Sequence, residues 1–364
     1  MNMPLTGRSI GLDGIPAAVT ALSLVDGENG VLVIAGLSVE RLAETLTFEA
    51  VAAGLWRIAD PRAEAGEPAT FGRLRAAAFE QALHICPSLV RLGPVDGLRA
   101  ALAALDIADG PSAAAAIVAA VPVLIATLEA LRAGRAPLAP DPALGHAADM
   151  LRMLRGAPPS PAEARALDAY LTTVSDHGMN ASTFACRVVT ATPASLVSAV
   201  TAAPCAPSGP PPRGAPGAGL GMLDEIGDRT AIAPWIAAAL ERGERLMGFG
   251  HRIYRTRDPR ADVLKAALER LAPATPRLAF ALEVEREARA QLNARHPERP
   301  LDTNVEFYTA LLLDALGLPR ALFTPLFAVG RVAGWTAHAM EHHARAGRLI
   351  RPEALYDGAR PEAA

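Results

Sequence analysis

Leu246-Met-Gly-Phe-Gly-His251-Arg-Ile-Tyr-Arg255-Thr-Arg-Asp-Pro-Arg260 sets one histidine and several arginines beside two glycines and an Asp-Pro turn. Gly248 and Gly250 let the backbone come close to a small ligand. Arg255 and Arg260 suit two-pronged capture of carboxylates or phosphates. His251 exchanges a proton near neutral pH. Together they suit a small polyanion, held where a developing oxyanion meets an imidazole. Spacing alone also allows a basic turn on the surface.

The rest of the chain limits the kind of protein. Its 364 residues accommodate one large domain or two. Hydrophobic residues are 51% of the chain and aromatics only 4%, so Ala and Leu supply the core and favour helix over strand. A net charge of -3 argues against a nucleic-acid binder or a membrane-surface protein, so any anion site is local. Cys86, Cys186 and Cys205 are isolated and odd in number, without metal spacing, which fits a reducing compartment and predicts a cytoplasmic location. The first residues, Met1-Asn-Met-Pro-Leu-Thr-Gly-Arg8, show no apolar signal-peptide core. The apolar run Ala113 to Leu128 is shorter than the ~18 residues of a membrane span and contains Pro122, which predicts a buried, kinked core helix.

Apolar residues recur at helical spacing over Thr70–His84, Leu98–Ala108, Ser112–Ala133, Pro161–Thr173 and Ser182–Thr192. The same holds for Asp262–Leu271, Pro276–Leu292 and Val305–Ala315. Gly30–Ala35 is the one strand-like piece, expected in a small hairpin. Proline density over Pro204–Pro216 forbids helix and predicts an extended linker. An all-α protein follows.

Four further segments join the opening stretch in register: Leu46-Thr-Phe-Glu-Ala-Val51 after Val25-Asp-Gly-Glu28, Asp176-His177-Gly-Met-Asn180-Ala-Ser-Thr-Phe184, Asn304-Val-Glu306-Phe-Tyr308, and Phe323-Thr-Pro-Leu-Phe-Ala-Val-Gly-Arg331-Val-Ala-Gly-Trp335. Arg351-Pro352 with Tyr356 closes the series. In this order the segments resemble the citrate synthase family, from about Gly11 to Gly358. That family condenses acetyl-CoA with oxaloacetate and hydrolyses the citryl thioester to citrate and CoA.

The resemblance implies a role for each residue. Glu306 stands where the family has its base, normally an aspartate, and His251 polarises the acceptor ketone. His177, Arg260, Arg331 and Arg351 bind oxaloacetate, with Arg351 supplied by a partner subunit. Arg255 meets the CoA phosphates. The remaining histidines, at 84, 146, 296, 338, 342 and 343, match no motif and are expected to be structural or solvated. Asp176 alone could be a helix N-cap. The resemblance further implies a homodimer with no cofactor or metal, acetyl-CoA being a substrate. It implies a two-domain fold, with a large domain of residues 1–222 and 327–364 and a small domain of 223–326 that closes over the site.

One position departs sharply. Where the family reads Gly-Pro-Leu-His-Gly-Gly-Ala, this chain reads Gly209-Pro-Pro-Pro212-Arg213-Gly-Ala215. The family's histidine there donates to the thioester oxygen during enolisation, and Pro212 has no donor. Losing one oxyanion donor costs about a hundred- to a thousandfold in rate. Arg213 is the candidate substitute donor. Three readings stay open: a slowed citrate synthase, a 2-methylcitrate synthase using propionyl-CoA, and a catalytically silent subunit that pairs with a complete paralogue.

Overall fold

The computed structural model describes residues 11–12, 14–63, 68–206, 216–273, 275–298, 301–354 and 358. The expected extended run therefore falls largely outside the described residues, as do Pro212, Arg213 and Tyr356.

Helix dominates, as the Ala and Leu content requires. The expected helices over Pro161–Thr173 and Val305–Ala315 carry those same bounds, and Ala113–Arg132 and Pro276–Arg295 differ by a few residues at the ends. The helix expected over Leu98–Ala108 instead runs Pro94–Ala103, because Pro94 suits a first turn and lacks only an N–H that the turn leaves unpaired. Phe48–Ala59, His146–Arg155, Ile232–Glu241 and Phe323–Ala344 are further helices outside the expected spans.

The strand-like piece is the middle of a three-stranded antiparallel meander. Val31–Ile34 pairs with Ser23–Asp26 on one side and Leu37–Ser38 on the other.

Ala113–Arg132 is apolar on nearly every face and is the central helix of the core. It runs through Pro122 as a single helix. Pro68–Ile85 and Phe323–Ala344 pack against it. Phe323–Ala344 also packs against Phe48–Ala59, where the Trp56 indole N–H donates to Thr336 Oγ1 at 2.9 Å.

Two glycines of Phe323–Ala344 set the depth of that helix. A Cβ at Gly330 would lie 2.5 Å from Val174 Cγ2, and one at Gly334 would lie 2.4 Å from the Ser175 carbonyl. The Gly334 N–H donates to that same carbonyl at 3.0 Å. Arg331, between the glycines, is thereby pressed against the segment that leads into His177.

Candidate active site

His177, His251, Arg260, Glu306 and Arg331 line one cavity of about 320 Å³, with Asn180, Asn304 and Phe327 among its other walls. The residues come from four places far apart in the chain. Only long-range packing brings them together.

The opening motif forms a loop in which one of the two glycines packs tightly against the protein's own chain. Gly248 and Gly250 both have φ in the left-handed region, at 86° and 72°. A Cβ at Gly248 would meet Phe307 Cβ at 2.7 Å, so the close approach is to the protein itself. Phe249 between them bridges to Thr303. The Asn304 N–H donates to Gly248 O at 2.9 Å, and the Gly250 N–H to Asp302 O at 2.7 Å. The His251 loop and the turn before Glu306 are thus laced together.

His251 has a defined tautomer. Its Nδ1 accepts from the backbone N–H groups of Ile253 and Tyr254, each at 3.1 Å. A neutral imidazole has one acceptor nitrogen, so the proton lies on Nε2. Burial, and then Arg260, push its pKa down to about 4, which keeps the ring neutral. Arg260 Nη2 lies 3.3 Å from Nε2. Arginine only donates, so this contact sets one guanidinium donor at Nε2 against two main-chain donors at Nδ1; the two fixed backbone N–H groups prevail, and the proton stays on Nε2, facing the guanidinium. Two donors converge where one ligand oxygen could accept from both.

Asp258 holds Arg260 in place. The guanidinium donates to the carboxylate twice, from Nε at 2.9 Å and from Nη2 at 2.8 Å. The same carboxylate caps the helix Pro259–Leu271 by accepting from the Arg260 N–H at 3.1 Å. It also accepts from the Val305 N–H at 3.0 Å, next to Glu306. One buried carboxylate thus ties the arginine to the helix that carries the candidate base.

Glu306 sits in the first turn of Val305–Ala315, where Asn304 Oδ1 caps its N–H at 2.9 Å. Burial raises the carboxyl pKa, Arg260 lowers it, and Asp258 raises it, with a net upward shift. A carboxylate of raised pKa is a stronger base.

Arg331 is 2% exposed. Its Nε donates to Val174 O at 2.6 Å, and its guanidinium lies 4.5 Å from the centre of the Phe327 ring. Burial lowers its pKa to about 10, so it stays charged at neutral pH.

His177 is 6% exposed, with Nε2 3.1 Å from the Tyr254 hydroxyl. Burial and the nearby arginines hold its pKa well below the ordinary value. Asp176 is not a helix cap, because Asn180 caps Ala181–Thr190 instead. Asp176 accepts from Ser23 Oγ, and from the Gly178 N–H at 3.3 Å. His338 Nε2 lies 3.2 Å from the Asp176 carboxylate, while its Nδ1 accepts from Arg187 at 2.7 Å. Burial alone would raise Asp176, but His338 and Arg331 outweigh it and bring its pKa down to about 2. His338 is thus structural, as expected.

Two expected residues lie elsewhere. Arg255 is exposed, and its N–H donates to Gly27 O at 2.8 Å. Arg351 is exposed on the C-terminal segment, beside a separate cavity of about 480 Å³ that Arg345 and Arg348 also line. A third cavity of about 940 Å³ adjoins the cleft through His251 and is walled by Arg245, Arg252 and Arg295. Sequence reading passed over Tyr254 and Asp258. The Asp-Pro pair two residues before Arg260 is a helix-start signal that could have drawn attention to Asp258.

Residues 11–353 match the family described as "Citrate synthase, C-terminal domain". Citrate synthase 2 of Bacillus subtilis is 36% identical over 361 residues, covering 96% of this chain and 95% of that protein. The solved citrate synthase of Thermotoga maritima superposes with a TM-score of 0.81 at 29% identity, covering 97% of both chains. A ternary complex of Thermoplasma acidophilum citrate synthase with carboxymethyl coenzyme A and oxaloacetate gives a TM-score of 0.83 at 25% identity, over 96% of each chain. The sequence motifs, the helical architecture and these likenesses agree: the chain is a member of the citrate synthase family.

Proposed function

We propose that the protein condenses acetyl-CoA with oxaloacetate to citrate and CoA, more slowly than relatives that carry histidine in place of Pro212. The convergence of the His251 Nε2–H and an Arg260 N–H on one point, in a cavity also lined by Glu306, carries the reading. A ketone or carboxylate oxygen satisfies both donors there. Glu306 takes the α-proton of acetyl-CoA. The resulting enolate carbon attacks the ketone carbon, and His251 donates to the ketone oxygen as it gains charge. Arg260, Arg331 and His177 hold the oxaloacetate carboxylates, and Arg351 joins them from the partner of a homodimer. Water then hydrolyses the citryl thioester.

The Thermoplasma acidophilum complex holds oxaloacetate beside a CoA derivative, carboxymethyl coenzyme A, and we assign oxaloacetate beside acetyl-CoA to this chain. CoA suits the wide cavity beside His251, where Arg245, Arg252 and Arg295 match its phosphates. No metal or cofactor enters this scheme. Residues 223–326 form the mobile domain, closing on 1–222 with 327–364, and the location is cytoplasmic. A propionyl-CoA substrate giving 2-methylcitrate fits the same chemistry.

Pro212 favours one second reading, in which a silent subunit binds oxaloacetate or CoA and pairs with a complete paralogue. Purified protein given both substrates decides between them. CoA release above the uncatalysed rate supports the synthase. No release, with oxaloacetate binding intact, supports the silent subunit.

A further inference from the structure

Tyr254 has no part in the scheme above, yet it meets three of its residues. Its hydroxyl lies 3.1 Å from His177 Nε2. Its ring centre is 4.9 Å from that of His251, and the Arg260 guanidinium lies 5.7 Å from the ring centre. Its backbone N–H donates to His251 Nδ1 at 3.1 Å. The side chain is 3% exposed, so water does not readily replace it.

Two neutral groups meet at the 3.1 Å contact. The phenol keeps its proton, because burial raises its pKa, and the imidazole is neutral for the same cause. A phenol O–H is the stronger acid and an imidazole nitrogen the stronger base, so the hydroxyl donates and Nε2 accepts. His177 then carries its own proton on Nδ1. That N–H is the ring's one donor, shared between the residue's own backbone and a ligand. The same residue, through its backbone N–H, leaves the His251 proton on Nε2. Tyr254 thus sets two imidazoles in opposite tautomers, one by side chain and one by main chain.

We propose that Tyr254 is a positioning residue of the acceptor site, whose hydroxyl fixes His177 as the Nδ1–H tautomer and so decides which nitrogen donates to the acceptor carboxylate. The idea rests on the reading of the cleft as an oxaloacetate site.

Tyr254→Phe keeps the ring and the backbone N–H and removes only the hydroxyl. His251 is therefore an internal control. Nitrogen NMR of 15N-histidine-labelled full-length protein reads both tautomers, with His177→Gln assigning the His177 signals. In the wild type, His177 should show a protonated Nδ1 and His251 a protonated Nε2. In Tyr254→Phe the His177 signals should move toward a tautomer mixture while those of His251 stay. Oxaloacetate affinity by calorimetry should fall about tenfold, the usual cost of one such bond. A wild-type His177 protonated on Nε2 overturns the proposal. So does a Tyr254→Phe protein with unchanged His177 signals and unchanged affinity. Failure of the wild type to bind oxaloacetate overturns the acceptor reading instead, and the tautomer signals still decide the role of Tyr254.

Discussion

Arg331→Leu tests the acceptor site most directly. Among the described residues, the Arg331 guanidinium donates one hydrogen bond, from Nε to Val174 O at 2.6 Å. A guanidinium has five N–H donors, so four are left for a ligand. The group is 2% exposed and lines the cleft, so the dielectric around it is low. A carboxylate of oxaloacetate gains charge-assisted bonds from those donors. Such bonds are worth about 1.5–3 kcal/mol, or roughly ten- to a hundredfold in affinity. The fold should survive the change. Leucine strands the Val174 carbonyl, at a cost of about 1–3 kcal/mol. It also removes a buried cation, which recovers a desolvation penalty of a few kcal/mol. The two effects oppose, and the melting midpoint should stay within about 3 °C of the wild type. Calorimetric titration with oxaloacetate is the assay. Arg331→Lys, which keeps the charge but loses the fork, should fall between the two. Equal affinity in wild type and Arg331→Leu would refute the assignment.

Asp258→Asn should destabilise the protein by about 3–5 kcal/mol, because it strips the partner from a buried guanidinium; a denaturation curve that matches the wild type would contradict this. His251 is held neutral with its pKa near 4, whereas the unfolded ring titrates near 6.5. The unfolded chain takes up the proton first as pH falls from about 6.5 to 4, so stability is lost across that window and levels off below it. His251→Gln should lessen that slope in denaturant titrations run at a series of pH values, and an unaltered slope would count against the neutral ring. Pro212→His with Arg213→Gly restores the family's motif, and should speed exchange of the acetyl-CoA methyl protons with solvent by about a hundredfold or more. If Arg213 already serves as the donor, Arg213→Gly alone should abolish the wild-type rate.

Much of the fold was legible in the chain. Helices such as Pro161–Thr173 and Val305–Ala315 read directly from apolar spacing and their flanking signals, since both depend on neighbours within a turn or two. Phe323–Ala344 did not read as a helix, because it is buried nearly all round and carries no amphipathic stripe. The two short strands that flank Val31–Ile34 needed their partners to be seen, since four and two residues carry too little periodicity alone.

The site divides in the same way. The order of the motifs by itself determined the family and drew attention to His177, His251, Arg260, Glu306 and Arg331, because residue type and spacing are properties of the chain. Tertiary structure alone decided what each residue can do. Asp258 pairs with Arg260 locally, but it reaches the N–H of Val305 across 47 positions. Asp176 takes its partners from Ser23 and His338, more than 150 positions away on either side. The tautomers of His177 and His251 follow from Tyr254 and two backbone N–H groups. A proton's place on a ring depends on what faces each nitrogen, and the packed fold alone settles that.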